Sequence, residues 1–186
     1  MSDELEPAKR FRRVPVRYLL PNIVTLVALC IGITAIRMAI EGRFQLAVSG
    51  IIAAIVLDAI DGRLARYLQG TSKFGAELDS LADFVNFGVA PAIILYFWSL
   101  VSLRALGWVI CLSLAMACAL RLARFNVMLE DPSKPAWAAN YFSGVPAPAG
   151  AALSLVPMYL GFLGVINDGH DYAKFFAPLV FAVAVL

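Results

Sequence analysis

Residues 44–98 read FQLAVSGIIAAIVLDAIDGRLARYLQGTSKFGAELDSLADFVNFGVAPAIILYFW, two apolar runs separated by a short polar break, with two aspartates set into each. The runs extend from Phe44 to Leu68 and from Phe74 to Leu103. An α-helix needs about 20 apolar residues to cross a hydrocarbon core of ~30 Å, so each run predicts one spanning helix and the pair predicts a hairpin. Asp58 and Asp61 lie three apart near the end of the first helix, and Asp79 and Asp83 four apart near the start of the second. Such spacings return side chains to one helix face. Counting outward from a turn at about Gly70 sets Asp58 level with Asp83 and Asp61 level with Asp79. All four carboxylates thus lie at nearly one depth, at most ~14–19 Å along the helix from the turn at a rise of about 1.5 Å per residue.

The rest of the chain agrees with a membrane setting. Of 186 residues, 61% are hydrophobic and 15% charged, with a mean hydropathy of +0.81. Soluble domains carry about 25% charged residues, so this chain has too little polar surface to cover a globule and far too much apolar content to be disordered. Further apolar runs fall at Tyr18 to Ile40, Ala105 to Phe125, Val145 to Ile166 and Tyr172 to Leu186. The fold class is therefore an all-α integral membrane protein of about six transmembrane helices, with a basic N-terminal segment at 1–17 and a transmembrane domain at 18–186. The run from Tyr18 is too long for a signal-peptide core and lacks a small-residue cleavage site, which predicts a retained span. The last run is short for a crossing, so the expectation is that it is incomplete and that the native chain continues past Leu186.

Lys9, Arg10, Arg12, Arg13 and Arg17 crowd the start of the chain. Their placement against an apolar run predicts a collar facing anionic lipid headgroups rather than a nucleic-acid footprint. With the spans alternating, eleven Lys and Arg (9, 10, 12, 13, 17, 63, 66, 73, 121, 124, 134) share the side of the N-terminus and four (37, 43, 104, 174) the other. The positive-inside rule then puts the N-terminus and the mouth of the acidic hairpin in the cytoplasm. The connection from Glu130 to Gly144, with Pro132 and Pro135, is expected to be an irregular cytoplasmic loop. Cys30, Cys111 and Cys118 sit in apolar stretches without metal-ligand spacing and read as buried thiols, and His170, between Asp168 and Asp171, as an exposed loop residue.

Carboxylates within a bilayer cost several kcal/mol each when unpaired, so four aspartates within twenty-six residues require a cause. Converging acids repel unless a cation sits among them, and all-oxygen ligation favours Mg²⁺, Mn²⁺ or Ca²⁺, as one ion or two. Pairing with Arg63 and Arg66 alone is a poorer account, because two cations cannot neutralise four acids. Gly62 and Gly75 would let a ligand approach the backbone, and Arg66 beside a metal suits a diphosphate.

The segments DAIDGRLAR (58–66) and GAELDSLAD (75–83), with eight residues between them, fit the pattern DxxDGxxARx8GxxxDxxxD at every specified position. This resembles the CDP-alcohol phosphotransferase family. The resemblance implies that fold, about six helices, a homodimer, and transfer of a phosphatidyl or similar group from a CDP-linked donor to an alcohol with release of CMP, which makes 18–186 the catalytic domain. It also implies metal ligands at Asp58, Asp61 and Asp79, with Asp83 touching metal or acting as the catalytic general base. Gly62, Arg66, Ser72 and Gly75 would line the CDP pocket, joined by Asn22 and Thr25 of the sequence PNIVT at 21–25.

Two further segments, RLARFN (121–126) and FSGVPAP (142–148), resemble the branch of the family whose donor is CDP-diacylglycerol and whose acceptor is L-serine. Arg121, Arg124 and Asn126 are accordingly candidates for the acceptor or a lipid phosphate, although arginines at a cytoplasmic helix end also snorkel to headgroups. A relative using glycerol 3-phosphate or an inositol compound is the alternative within the family. A cation transporter would account for the four acids but not for Gly62, Arg66 and Gly75 at their spacings. Location in the cell (inner) membrane follows from the charge count and the resemblance.

Overall fold

The computed structural model describes residues 16–68, 72–130, 145–164, 176–180 and 182, and within these the chain is helical with turns between helices. The helices are α1 (Val16–Ile40), α2 (Phe44–Tyr67), α3 (Lys73–Asp83), α4 (Ala90–Trp98), α5 (Ala105–Glu130), α6 (Ala147–Ser154) and α7 (Val156–Phe162). The basic residues at 9–13, the turn at Gly70, His170 and most of the loop at 130–144 lie outside the described residues.

Four stretches are long and apolar enough to cross a membrane: Leu19–Ile40, Phe44–Tyr67, Lys73–Trp98 and Ala105–Met128. Their outward faces carry Leu19, Ile23, Ile33, Val56, Val109 and Leu120, all exposed. Exposed leucine and isoleucine at this density are unsuited to water and suited to lipid. Cys30 is exposed, which corrects its expected burial because its helix face is turned away from the other helices, whereas Cys111 and Cys118 are buried as expected.

α1 and α2 form an antiparallel hairpin. Gly42 takes a left-handed φ of +76°, and the Gly42 and Arg43 amides return to the carbonyls of Ala39 and Met38, which ends α1 and reverses the chain. Small side chains line the seam: Ala35 and Ala39 meet Ala47 and Gly50, and a β-carbon on Gly50 would stand 3.0 Å from Ala35 Cβ. Without a hydrophobic drive in lipid, such close backbone approach is what holds helices together. α4 packs its buried Ile94 and Leu95 into the same core, where Leu155 and Met158 close it from the C-terminal helices.

The sequence predicts unbroken helices over 74–103 and 145–166, and both are interrupted. After α3 the chain makes a wide π-helical turn at Phe84–Val89, then α4, then a 3₁₀ turn at Leu100–Leu103. The π-turn buries Asn86, Phe87 and Gly88, and the Asn86 amide sits against Gly32 of α1, where any β-carbon would collide with it. The run from Val145 is split at Leu155 because Pro157 has no N–H to continue the ladder. Neither α6 nor α7 is long enough to span by itself, and of the run from Tyr172 only a helical fragment at 176–180 and residue 182 is described, so the described residues contain four spanning helices where six are expected.

Candidate active site

The acidic cluster forms where α1, α2 and α3 meet. Carboxylate oxygens of Asp58, Asp61 and Asp79 lie within 4.8 Å of one another. Asp83 joins through a side-chain hydrogen bond with Asp58, the pairing expected from counting back to the turn. Asp61 is the most enclosed, at 3% exposure, while the other three are half-buried and open to a ligand.

Among the described residues the ion pairs are Arg37 with Glu41 and Arg43 with Glu41, at the opposite end of α1. Neither Arg63 nor Arg66 pairs with the cluster, and both are exposed. Arg66 instead donates from Nε to the Gly62 carbonyl at 3.0 Å. Four acids gathered in an apolar medium with no ion-pair partner among the described residues fit a bound hard cation, which their oxygens would hold.

Each remaining candidate has a definite place. Thr25 of α1 donates its hydroxyl to Asp61 Oδ2 at 2.8 Å and also lies 3.1 Å from the Pro21 carbonyl. Ser72 is the N-cap of α3, its Oγ accepting from the Gly75 amide at 3.0 Å. Gly75 is required by packing, since a β-carbon there would come 2.9 Å from Asn22 Oδ1 and 3.1 Å from Ser72 Oγ. Gly62 is different: a β-carbon would meet nothing within 4 Å. The protein's own packing gives no reason for a glycine at this exposed position beside the acids, and the open space over its backbone matches the close approach of a ligand.

The arginines of α5 divide. Arg121 turns its guanidinium to the Val145 carbonyl, tying α5 to the chain as it enters α6, where Pro146 is the N-cap. Pro148 occupies the first turn, which proline tolerates, so this segment starts a helix as its sequence allows. Arg124 is exposed. Asn126 reaches the acidic helix itself, its Nδ2 donating to Ser80 Oγ at 3.0 Å, one residue from Asp79.

Two polar residues of this region were not legible as such from the sequence. Ser80 gave no signal beyond lying inside the motif. Asn86 was a lone amide in an apolar run, and that signal could have found it; it is 1% exposed and its Oδ1 has no hydrogen-bond partner among the described residues.

The family model described as CDP-alcohol phosphatidyltransferase matches residues 18–186. The CDP-diacylglycerol--serine O-phosphatidyltransferase of Mycobacterium tuberculosis (strain ATCC 25618 / H37Rv) is 49% identical over 133 residues, covering 72% of this chain and 46% of the relative. The enzyme of the same name from Mycobacterium leprae (strain TN) is 45% identical over 155 residues, covering 82% and 51%. That from Helicobacter pylori (strain ATCC 700392 / 26695) is 38% identical over 171 residues, covering 91% and 69%. The chain spans about half the length of the mycobacterial relatives. With a match over all the spanning helices and an acidic cluster on α2 and α3, the chain belongs to the CDP-alcohol phosphatidyltransferase family.

Proposed function

We propose that this protein transfers the phosphatidyl group of CDP-diacylglycerol to the hydroxyl of L-serine, giving phosphatidylserine and CMP. The observation that carries the reading is the convergence of Asp58, Asp61 and Asp79, with Asp83 hydrogen-bonded to Asp58, next in sequence to the open backbone of Gly62. Serine as acceptor is supported by the shared name of the three relatives and by the segments at 121–126 and 142–148. Glycerol 3-phosphate or an inositol compound is the alternative acceptor, and the assay below separates them.

Members of this family depend on a divalent metal, and Asp58, Asp61, Asp79 and Asp83 are the residues that would hold Mg²⁺ or Mn²⁺. A bound cation supplies charge neutralisation for the diphosphate and for the departing CMP. The chain's own residues do the rest. Gly62 admits the diphosphate to the α2 backbone, and Arg66, held at its Nε by the Gly62 carbonyl, keeps its terminal nitrogens for phosphate oxygens. Asn22, Ser72 and Gly75 shape the cytidine side, and Arg121, Arg124 and Asn126 the acceptor side.

The serine oxygen attacks the phosphorus that carries the diacylglycerol. A phosphorus–oxygen bond to serine forms, the bond to the oxygen shared with CMP breaks, and that oxygen leaves on CMP. The serine proton passes to an Asp83 carboxylate oxygen, the general-base role. Acyl chains stay in lipid while cytidine and serine arrive from water, which suits a site a few turns below a membrane surface.

The eleven-to-four distribution of Lys and Arg supports a cytoplasmic N-terminus and active site in the cell membrane. The family resemblance supports a homodimer, which light scattering of the detergent-solubilised protein tests. The test of the base is Asp83→Asn: turnover should be abolished with CDP-diacylglycerol binding largely kept, and near-normal CMP release would remove Asp83 from that role.

A further inference from the structure

We propose that Thr25 is a positioning residue for Asp61, setting the direction of that carboxylate from the neighbouring helix, and is not a contact for the nucleotide. The inference rests on the metal reading of the acidic cluster and adds a residue outside it.

A threonine inside a helix satisfies its hydroxyl by donating to the carbonyl four residues back, and here the Pro21 carbonyl is within reach at 3.1 Å. Thr25 therefore requires nothing from α2. The shorter contact, 2.8 Å to Asp61 Oδ2, serves the carboxylate. Thr25 is 6% exposed and Asp61 3%, so no solvent competes for this bond, and a hydrogen bond to a carboxylate in such surroundings is among the stronger kinds.

The bond also crosses between helices. Thr25 sits on α1, Asp61 on α2 and Asp79 on α3. One oxygen of Asp61 is held from α1, and an Asp61 carboxylate oxygen lies within 4.8 Å of oxygens of Asp58 and Asp79. Hydrogen bonds of this kind behind a ligand commonly change metal affinity by about 10–100-fold when removed. The same segment braces α3, because Asn22, one turn earlier, stands against Gly75. The sequence PNIVT thus acts on both acidic helices through the backbone of α1.

The experiment compares the full chain in detergent with Thr25→Val, which keeps the shape and removes the hydroxyl, and Thr25→Ser, which keeps the hydroxyl. Mn²⁺ binding is read by electron paramagnetic resonance without nucleotide, and CMP release is measured separately at saturating Mn²⁺. Thr25→Val should bind Mn²⁺ 10–100-fold more weakly, an order of magnitude taken from other metal sites. Thr25→Ser should stay within about 3-fold of the parent, the Mn²⁺-free melting temperatures should agree, and the KM for CDP-diacylglycerol at saturating Mn²⁺ should change little. Thr25→Ala is the second variant, expected to weaken Mn²⁺ binding as Val does. Unchanged Mn²⁺ affinity in Val and Ala with a raised KM for CDP-diacylglycerol would overturn the proposal in favour of a nucleotide contact. Weakening in Ser with unchanged affinity in Val would overturn it in favour of simple packing by the methyl group. Absence of Mn²⁺ binding in the parent protein would instead overturn the metal reading itself, and this inference with it.

Discussion

Replacing Gly62 by alanine separates a glycine kept for the ligand from one kept for the fold. Gly62 lies inside α2, where glycine is less favourable than alanine by about 0.5–1 kcal/mol. The added methyl meets no atom within 4 Å. The folded protein should therefore be unchanged or slightly stabilised, with a melting temperature in detergent equal to or above that of the parent. Catalysis should respond in the opposite direction. The methyl occupies the space over the backbone through which the diphosphate approaches, and a displacement of about 1 Å at a reacting centre costs on the order of 100-fold in rate. That corresponds to about 2.7 kcal/mol of transition-state stabilisation. The assay is CMP release with CDP-diacylglycerol and serine, alongside thermal unfolding of the same preparation. Full activity with an undiminished melting temperature would refute the reasoning, because the open face would then not be where substrate comes close. Lost activity with a lowered melting temperature would refute it differently, by showing Gly62 to be a packing residue after all.

Further outcomes follow from the same geometry. Gly75→Ala should lose stability by about 1–3 kcal/mol through its collision with Asn22, so its melting temperature should fall where that of Gly62→Ala does not. Gly32→Ala should be at least as damaging, since its methyl would land on the buried Asn86 amide; thermal unfolding reads both. Ser80→Ala and Asn126→Ala should be non-additive, with a coupling of about 0.5–3 kcal/mol in a double-mutant cycle on turnover, because each removes the same bond between α3 and α5; full additivity would release Asn126 from α3. Protease added to sealed inside-out vesicles should cleave an N-terminal tag that is protected in right-side-out vesicles, and the reverse would invert the orientation.

How far the sequence could be read depended on the kind of signal involved. Hydropathy located α1, α2 and α5 within a few residues, because lipid demands length and apolarity and little else. The acidic hairpin was legible for a stronger reason. Helical periodicity ties Asp58 to Asp83 once the turn is known, and the structure joins them by a hydrogen bond. Hydropathy could not show the π-turn at Phe84–Val89, where every residue but Asn86 and Gly88 is apolar, because widening a helix by one residue leaves composition untouched. The break at Leu155 was available from Pro157 but overridden by the apolar run around it. Site chemistry was legible as a set of residues and not as their assignments. Thr25 and Ser72 could be gathered near the pocket, yet only the fold turns the Thr25 hydroxyl onto Asp61 and makes Ser72 the cap of α3. Arg121 and Arg124, alike in sequence, part company because one meets the Val145 carbonyl and the other faces outward.

The most direct test of the central claim is CMP release by the purified, detergent-solubilised protein given CDP-diacylglycerol and Mn²⁺, with L-serine, glycerol 3-phosphate or inositol as acceptor. The account predicts release with serine alone, lost when the metal is chelated and in Asp83→Asn. Release with glycerol 3-phosphate or inositol and none with serine would contradict the assignment of the acceptor, and release with none of the three, from folded protein that binds Mn²⁺, would contradict the transferase reading itself.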